Sequence, residues 1–256
     1  MMNEKELLEW YLAAGVDAIC GDVPGCVQQK PQPPVSAAAA DASARPAITD
    51  LAQMSLKACK NARDICEAAS TLDELRAAVE VFDGCSLKLT SNKTVFGGGN
   101  PQAKIMIIGE APGADEDRIG EPFVGRSGHL LDKMLAAVGL DRGKVYITNV
   151  LPWRPPGNRT PTSAEVAVCL PFLRRQIELI KPEILLVLGG SAANSLLDNE
   201  EPISRLRGKW LAYKTLKGDE AALLASFHPA YLLRNPAQKA KVWADLLRLA
   251  KKLQNN

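Results

Sequence analysis

The sequence predicts an α/β fold built on a central, mainly parallel sheet of four strands, and three observations carry that expectation. Four short apolar runs, at residues 105–108, 145–148, 184–188 and 221–227, have the length and composition of strands buried on both faces. Stretches of helical periodicity separate them, and β-α alternation favours parallel pairing through crossover helices. Each run also ends in residues able to bend tightly or do chemistry: Gly109-Glu110, Asn149, Gly189-Gly190 and His228-Pro229. Ligands of open parallel sheets sit beyond the carboxyl ends of the strands, so these four ends are expected to share one crevice.

Residues 3–14 read as a short amphipathic helix with Leu7, Leu8, Tyr11 and Leu12 on one face. From 22 to 46 the composition turns to Pro, Ala, Ser and Gln, too poor in apolar surface to order itself, and reads as a linker. The expected organisation is therefore a helix at 1–21, a linker at 22–46 and one domain at 47–256 with a helical lead-in at 47–82. The first helix is either a tethered docking element for a protein partner or a tail without one.

Residues 48–69 are helical in pattern, with Leu51, Met54, Leu56, Cys59, Ala62 and Cys66 on one broad face. The next helix starts at Ser70 or Thr71, with Glu74 placed for a capping box, and stops at Asp83-Gly84-Cys85. Residues 88–95 read as irregular or as a short edge strand, and 96–100, Phe-Gly-Gly-Gly-Asn, as a turn. After the first core strand, the acidic run Asp115-Glu116-Asp117 suits a helix start or a solvated loop better than a paired-carboxylate site. Residues 127–138 form a helix closed by Gly139. The loop after the second strand, LPWRPPGNRTP, is stiffened by its prolines and carries two arginines able to reach phosphates. A long helix follows at 161–180, capped by Thr160 or Thr162 and stopped by Lys181-Pro182. After the third strand come a short helix at 191–197, a basic connection at 203–210 and a hairpin near 213–217. An amphipathic helix at 238–253 closes the chain, and the spacing of Met134 and Trp243 suits core positions.

Charge is uneven: residues 1–120 carry 11 Lys/Arg against 17 Asp/Glu, and residues 121–256 carry 20 against 12. The second half fits either a polyanionic partner or a solvated basic surface. No run approaches the ~18 apolar residues of a membrane span, and the start of the chain, MMNEKELLEWYL, is acidic rather than signal-like. A cytoplasmic protein without membrane contact is expected, and a monomer. Six cysteines in 256 residues do not form a dense disulfide framework. No GxxxxGK[ST] or GxGxxG follows any strand, and the only histidines, His129 and His228, are not at metal-ligand spacing. Gly189-Gly190-Ser191 can hold a phosphate or simply allow close strand–helix packing. His228 reads as a capping histidine or as a donor at the mouth of the crevice, and His129 as a helix-face residue.

Four segments, GEAPGADEDRIGEPFVGRSGHLL, YITNVLPWRPPGNRTPT, LGGSAANSLL with ISRLRGKW, and FHPAYLLRNP, resemble in order the motifs of the uracil-DNA glycosylase superfamily, above all family 4, the iron–sulfur type. The resemblance spans about residues 82–249. It implies a three-layer α/β/α domain, a DNA-repair activity that hydrolyses the N-glycosidic bond of uracil, and uracil-containing DNA as the partner. It also implies roles. Glu110 and His228 would be catalytic, with Glu110 activating or orienting water and His228 near O2 of the base. Gly109, Phe123 and Asn149 would hold uracil, Phe123 by stacking and Asn149 by reading its polar edge. DNA contacts would fall to Arg154, Asn158, Arg159, Arg205, Arg207, Lys209 and Arg234, with Leu232 or Leu233 as an apolar wedge in the stack.

The sequence departs from family 4 at the cluster ligands. Of the four cysteine positions only Cys85 and Cys169 are kept; the other two read Phe82 and Trp153. Two thiolates cannot complete a Cys₄ site, so no cofactor is expected, the alternative being a [4Fe–4S] cluster with Cys59 and Cys66 recruited. Phe82 and Trp153 are expected to fill the vacated volume. The loop after the second strand has no histidine, so turnover rather than a covalent DNA adduct is expected. Two other readings are a DNA-binding module that has lost catalysis and a nucleotide-handling enzyme using the Gly189 loop.

Overall fold

A computed structural model describes residues 48–254, and the amino-terminal helix and linker expected at 1–46 lie outside the described residues. The lead-in is helical: α1 spans Ile48–Ala68 and α2 spans Leu72–Val81. Thr71 is the N-cap of α2, its hydroxyl accepting from the Glu74 N–H at 3.2 Å while the Glu74 carboxylate accepts from the Ser70 and Thr71 N–H groups. Leu87–Thr90 is a single helical turn, α3, where an irregular segment or edge strand was expected.

The sheet has six strands: β1 Gly98–Gly99, β2 Ile105–Gly109, β3 Val145–Asn149, β4 Ile184–Leu188, β5 Trp210–Lys214 and β6 Glu220–Ser226. Their spatial order is β1-β3-β2-β4-β6-β5. The four expected strands form the parallel centre, β3-β2-β4-β6. Two antiparallel edges extend it to six. Gly98–Gly99, read as a turn, pairs with β3. The hairpin expected near 213–217 turns at Thr215–Asp219, so β5 precedes it and pairs with β6.

Alternate residues of the central strands enter two different cores, which is why the runs are continuously apolar. Met106, Ile108, Tyr146, Leu185, Val187 and Leu223 face the layer that holds α2, α6 (Ser163–Ile180) and α7 (Gly190–Leu197). Ile105, Ile107, Val145, Ile147, Leu186 and Leu224 face α5 (Arg126–Ala136), α9 (Pro229–Arg234) and α10 (Lys239–Gln254). The result is a three-layer α/β/α domain. Thr162 caps α6 through Glu165, and the acidic run starts a short helix, α4, at Ala114–Ile119. A last helical turn, α8, spans Ile203–Leu206. Met134 packs against the second core, but Trp243 is 45% exposed: α10 turns Val242, Leu246 and Leu249 inward and leaves Trp243 and Leu247 outside. Among the described residues no helix is long and apolar enough to cross a membrane.

Candidate active site

The carboxyl ends of β2, β3 and β6 open into a cavity of about 400 Å³ lined by Glu110, Phe123, Asn149, Asn158, Arg159, His228 and Arg234, with Glu116, Ser127 and Tyr231 among the other lining residues. Strand register explains the convergence. Gly109 pairs with Asn149, and the ladder continues past the strand ends as the Val150 and Leu151 N–H groups donate to the carbonyls of Gly109 and Glu110 at 2.9 and 3.1 Å. Glu110 and Asn149 therefore leave adjacent strands side by side. β4 lies between β2 and β6 and ends in Gly189, whose N–H donates to Ser226 O at 2.9 Å, so the β4 end borders His228.

Gly109 stands behind the cavity rather than in its lining. A Cβ there would come within 2.4 Å of Asn149 Oδ1 and 2.6 Å of Phe123 Cζ, so only glycine lets both side chains close on this spot. Gly189 is held at φ +103°, a backbone conformation that favours glycine, and a Cβ there would meet the His228 Cβ at an ordinary contact distance of 3.5 Å. A Cβ at Gly190 would likewise make only an ordinary contact, 3.4 Å from Ile203 Cβ. The next residue, Ser191, hydrogen-bonds the Glu110 carboxylate. Burial raises the Glu110 pKa above the ordinary carboxylate range, and the Ser191 hydroxyl opposes part of that rise.

His228 is a capping histidine whose side chain also lines the cavity. It is the N-cap of α9, its Nδ1 accepting from the Ala230 N–H at 3.1 Å. That bond leaves the proton of a neutral imidazole on Nε2, so the ring is a fixed donor. Burial first, then the nearby Arg234 guanidinium, push its pKa down to about 4. The ring stays neutral at physiological pH. Its centroid lies 5.5 Å from that of Phe123, with 30° between the planes.

Phe123 has a backbone φ of +54°, a left-handed conformation uncommon for a bulky residue. Arg142 holds it there: its guanidinium donates to Pro122 O at 3.1 Å and to Phe123 O, and pairs with Asp132 at 2.8 Å. Gly128 makes room, since a Cβ would collide with the Phe123 carbonyl. Sequence reasoning missed Arg142 and Ser191 because neither belongs to the strand ends. Only the glycine pair before Ser191 marked its position.

The residues expected to contact DNA divide. Asn158 and Arg159 reach the rim, but Arg159 also forms a bidentate pair with Glu165 at 2.6 and 2.9 Å that ties the loop to the start of α6. That pairing holds the Glu165 carboxyl down to about 2. Arg154 donates to Asn158 Oδ1 at 2.7 Å and stands 4.0 Å from the buried Asp117. Arg205 and Lys209 are exposed and lie outside the cavity. Arg207 is a correction: it pairs with the fully buried Asp245 at 2.6 Å, and Asp245 also accepts from Ser226 Oγ at 2.7 Å. It fastens α10 to the end of β6 instead of facing outward. Of the two leucines expected as a wedge, Leu232 is 1% exposed within the core and Leu233 is 37% exposed on α9. His129 is exposed on α5, as expected.

At the four cluster positions the residues do not fit four-cysteine ligation. Phe82 stacks on Trp153 with centroids 6.2 Å apart and meets the Phe172 edge at 5.1 Å. The Trp153 indole N–H donates to Thr94 Oγ1 at 3.1 Å. Gly84 allows the Phe82 ring to fold back, since a Cβ would approach its Cζ to 2.4 Å. Cys85 and Cys169 are both buried, with the Cys169 thiol donating to the Cys85 sulfur at 3.8 Å. Among the described residues no three His, Cys, Asp or Glu side chains group as metal ligands.

Comparison with known proteins bears on the family. The model of the uracil DNA glycosylase superfamily matches residues 96–247. A Type-4 uracil-DNA glycosylase of Archaeoglobus fulgidus is 42% identical over 184 residues, 70% of this chain and 92% of that protein. One of Thermotoga maritima is 42% identical over 167 residues, 64% of this chain and 83% of that protein. A Type-5 uracil-DNA glycosylase of Pyrobaculum aerophilum is 32% identical over 171 residues, 59% and 73% of the two chains. With the matched span running from the first strand of the sheet into α10, and so containing every strand end that builds the cavity, the chain belongs to the uracil-DNA glycosylase superfamily.

Proposed function

We propose that the protein hydrolyses the N-glycosidic bond between uracil and deoxyribose in DNA and leaves an abasic site. The observation that carries this is the meeting of a carboxylate, an amide, an aromatic ring and a neutral histidine donor in one cavity at the strand ends. The cavity suits a single flipped base, since the target atom is out of reach inside the duplex. Phe123 supplies a face for the ring, and the Asn149 amide offers one donor and one acceptor, which suits O4 and N3–H and rejects the amino group of cytosine. Glu110 takes a proton from the attacking water or orients it toward C1′, and its negative charge offsets the oxocarbenium-like sugar. As the C1′–N1 bond breaks, its electron pair leaves with uracil. The His228 Nε2–H stabilises that anion without titrating, because its charge does not change during the step. Leu233, on the exposed face of α9, fills the gap in the stack, while Arg154, Arg159, Arg205, Lys209 and Arg234 add phosphate attraction.

The test is base release from an oligonucleotide with one labelled uracil, read by alkaline cleavage. Wild type is expected to cleave, and Asn149→Ala to lose roughly a hundredfold with the hydrogen bonds to the base. Tight binding without release would overturn the assignment in favour of a binding module.

The same reading makes the enzyme independent of a cluster. Stacked Phe82 and Trp153 stand at two ligand positions and leave only the Cys85–Cys169 pair. Anaerobically purified protein is expected to contain no stoichiometric iron or sulfide by elemental analysis. About four irons per chain, the content of one [4Fe–4S] centre, would contradict this.

A further inference from the structure

Resting on the stacking role proposed for Phe123, we infer that Glu116 is a positioning residue of the active site, acting through the Phe123 backbone. Glu116 belongs to the acidic run that suited a helix start or a solvated loop, and the structure gives its three members separate work. Asp115 is exposed and pairs with Arg118. Asp117 is buried and accepts from Asn92 N, Asn92 Nδ2 and Lys93 N at 2.7, 2.6 and 3.3 Å. Glu116 turns to the cavity side, where its carboxylate collects three backbone donors. Oε1 accepts from the N–H groups of Val124 and Gly125, both at 2.9 Å, and Oε2 accepts from Gly113 N–H at 3.1 Å.

Those partners are informative. Val124 and Gly125 are the two residues directly after Phe123, and Gly113 lies at the turn leaving Glu110. One carboxylate thus bridges the two ends of the loop that carries the ring, and Arg142 grips the Phe123 carbonyl from the other side. A bulky residue at φ +54° persists only where its surroundings over-determine it. Here an anion fixes the amides after it and a cation fixes the carbonyls at and before it. Capping α4 alone needs only the bond to Gly113, and it does not account for the two bonds to Val124 and Gly125.

The proposal is tested with a double-mutant cycle on base release and on inhibition by free uracil, using Glu116→Ala, Phe123→Ala and the double variant. If Glu116 works through Phe123, each single change lowers kcat/KM by roughly tenfold to a hundredfold, the scale of a misplaced binding group. The double variant is then no worse than Phe123→Ala within about twofold, because coupled residues are not additive. Both single changes weaken uracil inhibition. Multiplying losses, or unchanged uracil affinity in Glu116→Ala, would reduce Glu116 to a helix cap and overturn the proposal. An unaffected Phe123→Ala would refute the stacking role itself, and the proposal with it. If Glu116→Ala does not fold, Glu116→Gln serves in the same cycle. It keeps one acceptor for Val124 and Gly125 but turns an amide donor toward Gly113, so the expected loss is about threefold, again absent in the Phe123→Ala background.

Discussion

Glu110→Gln is expected to lower the rate of uracil release by roughly a thousandfold while leaving binding to uracil-containing DNA near that of wild type, the scale of losing a positioned general base. The substitution keeps the size of the side chain and a carbonyl acceptor for Ser191, so the cavity survives. It removes the negative charge facing the sugar and the acceptor for the water proton. The pH profile gives a second readout. In the proposed mechanism only ionised Glu110 works, and burial raises its pKa, so wild-type activity is expected to fall as pH drops through a value above the ordinary carboxylate range. His228 does not contribute to that limb until about pH 4, where it gains its proton. In Glu110→Gln the residual activity should be flat across the region where wild type declines. An acid limb that survives the substitution would assign it to another group and remove Glu110 from the chemistry.

His228→Ala is expected to cost a hundredfold to a thousandfold in single-turnover release, as found when one preorganised donor to a developing anion is deleted. The reason lies in the two nitrogens of the ring. Nδ1 is engaged by the Ala230 N–H, so orientation and tautomer are set before substrate arrives. Nε2–H meets charge that exists only as the bond breaks, so the loss should fall on kcat rather than on affinity. His228→Asn separates the two duties. Its side-chain oxygen can still cap α9, so the fold is expected to hold while the donor at the Nε2 position is lost. Activity near wild type in His228→Asn would show that the histidine matters only as a cap.

The centre of this fold is legible in the sequence for a specific reason. Strands buried on both faces must be apolar at every position, and residues 105–108, 145–148 and 184–188 stand out against their surroundings. Topology then names their ends, and Glu110, Asn149 and His228 follow. The edges are harder. Gly98–Gly99 has no side chains to show alternation, and Trp210–Lys214 is only half covered. Charged residues are hardest, because a sequence shows a guanidinium but not its partner. Arg207 reads as a free cation until the fold brings Asp245 to it, and Arg142 reads as surface until the Phe123 carbonyl lies against it. The choice between Leu232 and Leu233 depends on which way one turn of α9 faces, a fact of packing that no local pattern contains.

The strand order carries a consequence for the making of the protein. Glu110 leaves the strand at one side of β4, and His228 follows the strand at the other side. β6 is the last strand of the sheet to be synthesised; it forms a local hairpin with β5, and this edge joins the rest of the sheet through parallel pairing of β6 with β4 across a crossover, a slower kind of closure than the hairpin. In the proposed mechanism the donor for the leaving base, His228, therefore arrives last. A nascent chain that has already formed β2 and β3 presents the carboxylate and the amide but cannot release a base. Competence should appear as a single late event during translation or refolding, when β6 docks on β4.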